Sequence, residues 1–365
     1  IFMKTTKPNQ KIRPDQEFPH SEAVSYAEEF GRHFTRDNLF GYVEKIKKIR
    51  VLVIGEAILD EYHFGHAIGK SAKEPTVALK FMQKEVYPGG SLAIANHLSN
   101  FCDEVGLLAM AGEKESQINL IKKSLNKNIK LFLFRKKNSP TITKKRFIEI
   151  SPIQKLLEFY IINDSELSKA QSLELKRMLD LTVPKYNMVI CADFGHGMID
   201  LAARNTIAAK ARFLAVTAQA NAGNMGYHTI SLYPKADYLC ADEREIRLET
   251  RERNKGIPEI VKELQNRFSY KNLIITAGEA GCFLVQRNKI IRIPALVDKT
   301  IDRVGAGDAF LSITAPLIFS KAPAEVVGFI GNAVGAIAAN IIGNERPVTK
   351  EMLYDFLNKT IGWTK

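Results

Sequence analysis

The sequence has few of the cysteines that stabilise disulfide-bonded and zinc-binding proteins, and few long apolar segments that could anchor it in a membrane. It has 365 residues with 4 cysteines and 1 tryptophan. The cysteines form no C-x-x-C pair and have no histidine at zinc-finger spacing, which argues against a disulfide scaffold and a zinc domain. The first 50 residues lack the continuous apolar core of a signal peptide. We therefore expect a reduced, cytoplasmic protein with buried thiols.

Long apolar runs are equally scarce. The most apolar uncharged stretch extends from Val326 to Asn344, which is just long enough to suggest a membrane span. Glycine and asparagine recur inside this stretch, and a buried helix accommodates them better than a lipid-facing one. We therefore expect a buried helix here and no association with a membrane.

The composition is that of a folded protein with an uneven charge. Hydrophobic residues make up 45% of the chain and charged residues 25%, and the formal net charge is +12. Residues 114–155 contain twelve Lys or Arg against two Glu. Such a stretch attracts nucleic acid, anionic lipid or phosphorylated metabolites, or is simply a solvated basic surface. The aromatic residues are too scattered for a nucleic-acid stacking surface, so we expect no nucleic-acid partner.

Apolar β-rich runs alternate with helical patterns from Val51 onward. The predicted strands lie at 51–55, 106–111, 130–134, 187–193, 212–217, 237–240 and 272–277. The predicted helices lie around 91–101, 115–126, 165–180, 199–210, 243–253 and 257–268. This alternation predicts a three-layer α/β/α domain with a mostly parallel central sheet covered on both faces.

Two segments and the start of the chain depart from this alternation. Residues 62–87 and 140–162 contain alternating β patterns and predict a small antiparallel lid over the carboxyl edge of the sheet. Residues 1–49 are polar at first and then suggest two short helices between Ser21 and Lys48. We interpret residues 1–49 as a linker or the tail of an upstream domain, followed by one domain over residues 50–365.

The strongest chemical signal is DRVGAGDAF at residues 302–310, which is followed by a helical apolar pattern through Phe319. Gly305, Ala306 and Gly307 would direct unpaired N–H groups at an anion. Asp308 would repel a bound phosphate unless it serves as a base that removes a proton from a hydroxyl during phosphoryl transfer. The alternative is a glycine-rich turn in which Asp308 only caps the helix.

Two further elements suit a polyol ligand. Asp60 follows the first strand, at the edge where α/β sheets collect ligands, and its carboxylate could accept two sugar hydroxyls. Gly89 and Gly90 precede a helical pattern and would let a small polyol lie against bare backbone, although a glycine pair is more often only a turn.

The order of these elements, Asp60, then Gly89-Gly90, then the GAGD tetrad, resembles the ribokinase/PfkB family of carbohydrate kinases over about residues 50–360. The resemblance implies ATP and Mg²⁺ as cofactors, with a monovalent cation as a further candidate. It also implies that Glu245 holds the metal through water. The positions that it assigns to ATP binding are Asp242, Glu245, Thr276, Gly278, Gly281 and Asn332.

Within that family, PTITKKR at residues 140–146 is similar to a lid strand of the bifunctional enzymes that make nucleotide-activated heptose. This resemblance implies a heptose-phosphate-like acceptor whose phosphate meets Lys144 and Arg146. It also implies a fused or partner nucleotidyltransferase domain, and we expect a homodimer. The chain departs from the family pattern where it has Ala93 for an Asn, Asp242 for an Asn, His196 for a Lys, and Thr217-Ala218-Gln219 for Asp-Pro-Lys.

Three functions therefore remain. The first is transfer of the γ-phosphoryl group of ATP to a hydroxyl of a sugar or sugar phosphate, with Asp308 as base and Asp60, Gly89 and Gly90 at the acceptor. The second is a catalytically weak kinase fold that serves as an appendage of a nucleotidyltransferase, as the departures from the family pattern suggest. The third, a basic nucleic-acid-binding module, is supported by the charge alone.

Overall fold

The computed structural model of the protein describes residues 21–114, 117–233, 235–286, 289–297 and 299–363. Within these ranges it contains twelve strands and eleven α-helices. The strands are β1 Arg50–Lys70, β2 Val77–Gly90, β3 Glu104–Lys114, β4 Ile129–Pro140, β5 Ile142–Ile150, β6 Ile153–Ile161, β7 Met188–Asp193, β8 Leu214–Ala218, β9 Lys235–Asp242, β10 Ser269–Thr276, β11 Cys282–Gln286 and β12 Lys289–Ile293. The helices are α1 Ser21–His33, α2 Arg36–Lys45, α3 Ser91–Leu98, α4 Ile118–Ser124, α5 Lys169–Thr182, α6 Leu201–Lys210, α7 Glu243–Thr250, α8 Ile257–Arg267, α9 Ala306–Phe319, α10 Ala324–Ala338 and α11 Lys350–Ile361.

The central sheet has the order β12-β11-β10-β9-β8-β7-β1-β3-β4. Every neighbouring pair from β10 through β4 is parallel, and only β11 and β12 are antiparallel to their neighbours. The strands that were predicted from the apolar runs are all present, so the predicted mostly parallel α/β sheet is confirmed. Strands β11 and β12 were not predicted, because they follow β10 without an intervening α-helix and so fall outside the alternation of strands and helices.

Strand β1 belongs to two sheets. Its first part, up to Glu56, pairs with β3 and β7 in the central sheet. From Ala57 onward it pairs with β2, and from Ile58 with β5, which in turn pairs with β6. The outer part of β1 and these three strands form the lid that the alternating segments 62–87 and 140–162 predicted. A single strand therefore links the lid to the central sheet.

The two N-terminal helices pack on the central domain. Leu39, Val43 and Ile46 are fully buried in the main hydrophobic cluster, and the Phe30 ring stacks on Phe329 with 4.1 Å between ring centroids. The two helices were expected from the sequence, but residues 21–49 were expected to be a linker or tail outside the core. That expectation is wrong for these residues, because apolar side chains spaced along two short helices bury against the sheet's covering helices. Residues 1–20 of the same segment lie outside the described residues.

The uncharged stretch that begins at Val326 is a buried helix, as expected. Helix α10 is covered along nearly its whole length, and its Gly328 lies where a side chain would collide with Ile293 and Leu284. Small residues therefore allow α10 to pack closely on the outer strands. Among the described residues, no helix combines the length and the apolar character that crossing a membrane requires.

The packing of α1 leads to a test of whether residues 21–49 belong to the folded core. Replacing Phe30 with Ala should lower the free energy of unfolding by about 3–5 kcal/mol, because it removes a buried ring and leaves a cavity against Phe329. Val24→Ala on the same helix should change it little, since Val24 is 38% exposed. Chemical denaturation of both variants measures the difference. Equal, small effects would show that α1 does not stabilise the domain.

Candidate active site

Two adjoining cavities open at the carboxyl ends of the central strands. The larger, of about 380 Å³, lies between the ends of β1, β8 and β9, the lid strands β5 and β6, and the start of α9. The smaller, of about 240 Å³, lies beside the end of β10, residues 295–297, Thr300 and Arg303, and one face of α10. Thr276, Arg303 and Gly307 line both cavities. The two spaces therefore meet at the first turn of α9.

The loop before α9 places backbone N–H groups at this junction. Gly305 is the N-cap of the helix and has a φ of 81°, and a Cβ at this position would lie 2.2 Å from the side-chain oxygen of Asn344. Only glycine fits both constraints. The first turn of a helix leaves N–H groups without intrahelical acceptors, so Gly305, Ala306 and Gly307 form a positively polarised end. The structure thus brings together the three loop residues that the sequence indicated.

Asp308 lies in the first turn of α9 and lines the larger cavity. Burial and the nearby Asp60 carboxylate raise the pKa of Asp308 to about 7, while the Lys144 ammonium group acts in the opposite direction. A carboxyl group with this pKa can accept a proton near neutral pH, which is what a general base requires.

Asp60 and the glycine pair meet at one wall of the larger cavity. A Cβ on Gly89 would lie 2.2 Å from Oδ2 of Asp60, so glycine is needed there for Asp60 to occupy its place. Gly90 lines the cavity directly. The Asp60 carboxylate is 4% exposed and accepts a hydrogen bond from the Arg146 guanidinium. The sequence predicted that these groups would converge, and they do.

Lys144 and Arg146 both line the larger cavity, and Lys145 turns away from it to within 3.7 Å of Glu61. Arg146 is already paired, since it binds Asp60 and its Nε donates to Glu158 at 2.9 Å. Lys144 is 6% exposed and lies 5.2 Å from the centre of the Tyr160 ring. In the part of the chain that the structure describes, no carboxylate lies within ion-pair distance of the Lys144 ammonium group. Lys144 is therefore the cavity cation available for an anionic ligand.

Asp242 and Glu245 lie on the opposite wall and cap α7 reciprocally. Glu245 Oε2 accepts from the Asp242 N–H at 2.8 Å, Asp242 Oδ1 accepts from the Glu245 N–H at 2.7 Å, and Glu245 Oε1 accepts from the Ala220 N–H at 3.0 Å. Burial and the Asp242 carboxylate raise the pKa of Glu245. No cluster of three or more His, Cys, Asp or Glu side chains in the described ranges is arranged to hold a metal ion. A Mg²⁺ ion here would therefore depend on phosphate oxygens and water, with these carboxylates close by.

The smaller cavity contains the remaining positions assigned to ATP. Gly278, Gly281 and Asn332 line it, and Thr276 lies where it meets the larger one. The Asn332 amide donates to the carbonyls of Ile293 at 3.1 Å and Pro294 at 2.8 Å. Asn332 therefore fixes the backbone of residues 293 and 294 beside the cavity. The small residues Gly335, Ala336 and Ala339 also line the cavity and occupy little of its space.

Several lining residues were not among the sequence-predicted site residues. They are Tyr160, Phe194, Gln219, Asn221 and Arg303. A rule that takes every residue just after a parallel strand as a candidate would have found Phe194 and Gln219, which follow β7 and β8. No sequence signal indicates Tyr160, because its lid strand reaches the cavity only through tertiary pairing.

A buried glutamate behind the cavity was also missed. Glu56 is fully buried, and its oxygens accept from the N–H groups of Phe194 at 3.1 Å, His196 at 3.1 Å and Met198 at 3.4 Å. It thereby holds the loop that brings Phe194 to the cavity. The signal was present as a single charge inside the otherwise apolar run VLVIGEAIL at residues 51–59.

Two of the departures from the family pattern lie outside the two cavities. His196 is fully buried, and neither of its ring nitrogens has a hydrogen-bond partner among the described residues. Burial, with a smaller effect from Lys144, lowers the pKa of His196 to about 4, so its ring is neutral at physiological pH. Ala93 is 1% exposed inside α3. Thr217 and Gln219, in contrast, line the larger cavity and alter its wall.

Comparison with known proteins agrees with this geometry. Bifunctional protein HldE of a Nitratiruptor species is 22% identical over 333 residues, which cover 85% of this chain and 68% of that protein. The same protein of Histophilus somni is 24% identical over 320 residues, covering 85% and 64%. The chain therefore spans about two thirds of the length of these relatives.

Solved structures share the fold at lower identity. Phosphofructokinase-2 from Escherichia coli in complex with fructose-6-phosphate has a TM-score of 0.67 at 14% identity and covers 86% of this chain and 99% of its own. Arabidopsis thaliana ribokinase complexed with ribose and ATP has a TM-score of 0.62 at 16% identity and covers 85% and 99%. The ribokinase-like fold is thus confirmed.

Residues 48–350 match the family described as pfkB family carbohydrate kinase, and this range contains the glycine pair, both cavities and the loop before α9. The resemblance that was drawn from the GAGD tetrad is confirmed. The chain belongs to the pfkB family of carbohydrate kinases.

Proposed function

We propose that this protein transfers the γ-phosphoryl group of ATP to a hydroxyl group of a phosphorylated sugar. The observation that carries the proposal is the place of Asp308, at the first turn of α9 where the two cavities meet. The smaller cavity would hold the nucleotide, and the larger one would hold the acceptor. A phosphoryl group that is transferred from one cavity to the other would lie next to the N–H groups of Gly305, Ala306 and Gly307.

The chemistry of this step follows from the groups at the junction. Asp308 would take the proton from the acceptor hydroxyl, whose oxygen forms the new bond to the γ-phosphorus as the bond to ADP breaks. The N–H groups of the loop would stabilise the charge on the transferring group. Glu245 would orient the water ligands of a Mg²⁺ ion that is bound with ATP, and the ion would offset the negative charge of the phosphates.

The wall around Asp60 supports a sugar as acceptor. A buried carboxylate beside bare glycine backbone can accept two neighbouring hydroxyls, and the Arg146 guanidinium holds it in one orientation. Lys144 supports a phosphate on that sugar, because a nearly buried ammonium group without a carboxylate partner among the described residues calls for an anion. The resemblance to the heptose enzymes implied two phosphate ligands, Lys144 and Arg146. In the structure, pairing with Asp60 and Glu158 leaves Lys144 as the better candidate.

The relatives support the same class of acceptor. Phosphofructokinase-2 from Escherichia coli, which shares the fold, has been solved in complex with fructose-6-phosphate, and the sequence relatives are bifunctional proteins. Together with the resemblance of residues 140–146 to a lid strand of the heptose enzymes, this makes a heptose phosphate our candidate acceptor, and a fused or partner nucleotidyltransferase remains part of the proposal. A potassium complex of Escherichia coli phosphofructokinase-2 keeps a monovalent cation as a candidate cofactor.

The outer face of the lid supports the expected homodimer. Seven large apolar side chains of the lid strands are more than half exposed, namely Ile68, Val77, Phe81, Met82, Ile153, Leu157 and Phe159. A second lid could cover them, because β-sheets with one apolar face commonly pack face to face.

A catalytically weak appendage is the second candidate function. It is favoured by the Glu245 carboxylate, both of whose oxygens already accept backbone N–H groups, and by the altered wall at Thr217 and Gln219. An ATP-consumption assay with a panel of sugar phosphates separates the two candidates, since an appendage would show no turnover that depends on the acceptor.

Replacing Asp308 with Asn tests the base. The amide keeps the shape of the carboxyl group but cannot take a proton, so turnover should fall on the order of 10²–10⁴-fold. ATP binding, measured by calorimetry, should stay within about a factor of three because Asp308 does not line the smaller cavity. Turnover close to that of the original protein would contradict the assignment.

The raised pKa of Asp308 predicts a pH profile. Because the carboxyl group must lose its proton before it can act as base, kcat/KM should rise with pH through about 7 and level off above it. If Asp308 had the usual pKa of an aspartate, the rising limb of the profile would lie near pH 4. Burial also raises the pKa of Glu56, so the profile of Glu56→Gln serves as control and should keep the limb. If the rising limb disappears in Glu56→Gln, the limb reports the titration of Glu56 and the assignment to Asp308 is wrong.

Replacing Lys144 with Met tests the phosphate on the acceptor. The change should raise KM for the phosphosugar roughly 10-fold to 150-fold, because a charge-assisted contact contributes about 1.5–3 kcal/mol. KM for ATP should stay nearly constant. Lys145→Met is the matched control, since Lys145 pairs with Glu61 away from the cavity. If an unphosphorylated sugar is the better substrate, or if only KM for ATP rises, a plain sugar kinase becomes the preferred assignment.

A further inference from the structure

One buried carboxylate, that of Asp302, gathers donors from three separate parts of the chain. Asp302 is 7% exposed. Its Oδ1 accepts from Lys155 Nζ at 2.6 Å and from the Val304 N–H at 3.1 Å. Its Oδ2 accepts from Tyr62 Oη at 2.6 Å and from the Gly343 N–H at 2.9 Å. Neither the general base nor the two cavities use this carboxylate.

Two of these donors belong to the lid, and one belongs to the loop before α9. Tyr62 is on the outer part of β1, and Lys155 is on β6, the strand furthest from the central sheet. Val304 directly precedes Gly305, the N-cap of α9. Asp302 therefore joins the lid to the loop whose N–H groups face the junction of the cavities.

The same contacts continue to the acceptor wall. The Arg146 guanidinium lies 5.6 Å from the centre of the Tyr62 ring, and Lys155 Nζ lies 5.9 Å from it. Arg146 in turn binds Asp60. Packed and hydrogen-bonded side chains thus run from Asp60 through Arg146 and Tyr62 to Asp302 and its loop.

We propose that Lys155 and Tyr62 are positioning residues that act through Asp302 to align the loop before α9 only when the lid is closed over the acceptor. This inference rests on the proposed phosphoryl transfer. An open lid withdraws Lys155 and Tyr62, leaves Asp302 with backbone donors alone and lets the loop relax. The transfer machinery is then assembled only when water is excluded, so ATP is protected from hydrolysis.

Lys155 can leave without disrupting the core, which makes the contact suitable for coupling. Its side chain is 35% exposed, whereas the Asp302 side chain is 5% exposed. The ammonium group can return to water when the lid opens, and the carboxylate stays behind with the loop. Tyr62 is fully buried, and its ring packs in a small cluster with Phe64 and Tyr87 of the lid strands.

Substitution of Lys155 by Met tests the proposal with two independent measurements. Phosphosugar formation should fall roughly 10-fold or more, and more than one ATP should be consumed per product formed. Hydrogen exchange at the amides of residues 304–307 should quicken, because the loop has lost its contact with the lid. Tyr62→Phe should act in the same direction, and its effect should not add fully to that of Lys155→Met. Lys155→Arg should restore most of the coupling.

Lys84→Met is the matched control, since Lys84 is a lid lysine that pairs with Glu61 at 3.7 Å and does not reach Asp302. It should leave the ATP-to-product ratio and the exchange at 304–307 unchanged. A Lys155→Met variant that behaves like Lys84→Met in both measurements overturns the proposal. A loss of activity with unchanged ratio and unchanged exchange also overturns it, because it would reflect a merely structural contact.

The outcomes also separate this proposal from the proposed function. If the original protein shows no turnover that depends on the acceptor, the proposed function fails, and the hydrogen-exchange comparison alone still decides whether Lys155 orders the loop. If the original protein is active and Lys155→Met is unaffected, the proposed function stands and the coupling through Asp302 is wrong.

Discussion

The continuity of β1 between the central sheet and the lid is the constraint on which the rest of the site depends. Residues up to Glu56 are held by parallel neighbours on both sides, and from Ala57 onward the same strand carries the lid. Asp60 lies just past this transition, so its distance from the end of the sheet cannot change without bending the strand. The position of Asp60 on the acceptor wall is therefore set by the strand that the central sheet holds on both sides.

The electrostatics on the acceptor side of the larger cavity follow from the closeness of two carboxylates, Asp60 and Asp308, to two cations, Lys144 and Arg146. Arg146 neutralises Asp60. The Asp308 carboxylate and any incoming anion therefore both interact electrostatically with the Lys144 ammonium group. Asp308 stays close to its protonation midpoint near neutral pH because burial and Asp60 both oppose its charge. An incoming phosphate would compete for Lys144, so binding of the acceptor and the state of the base are electrostatically linked.

Buried carboxylates also organise the backbone around the cavities. Glu56 holds the loop after β7, Glu245 holds the start of α7 and the loop after β8, and Asp302 holds the loop before α9. Each accepts several hydrogen bonds, which is how a buried carboxylate offsets its desolvation. Three loops from different parts of the chain are thus fixed at one edge of the sheet. The carboxylates that fix them accept backbone N–H groups, whereas Asp308 is proposed to act on the acceptor.

The sequence by itself determined most of the strands and helices, the lid segments and the residues of the loop before α9. Local patterns specify these features, because apolar periodicity and glycine content act within a few residues of one another. The sequence could not show that residues 21–49 pack on the core, that Arg146 is paired with Asp60 and Glu158, or that Lys155 reaches Asp302. Only the tertiary structure decided these points. The partners in each pair are far apart in sequence or on different strands, and their contact depends on strand pairing and packing that no local pattern encodes.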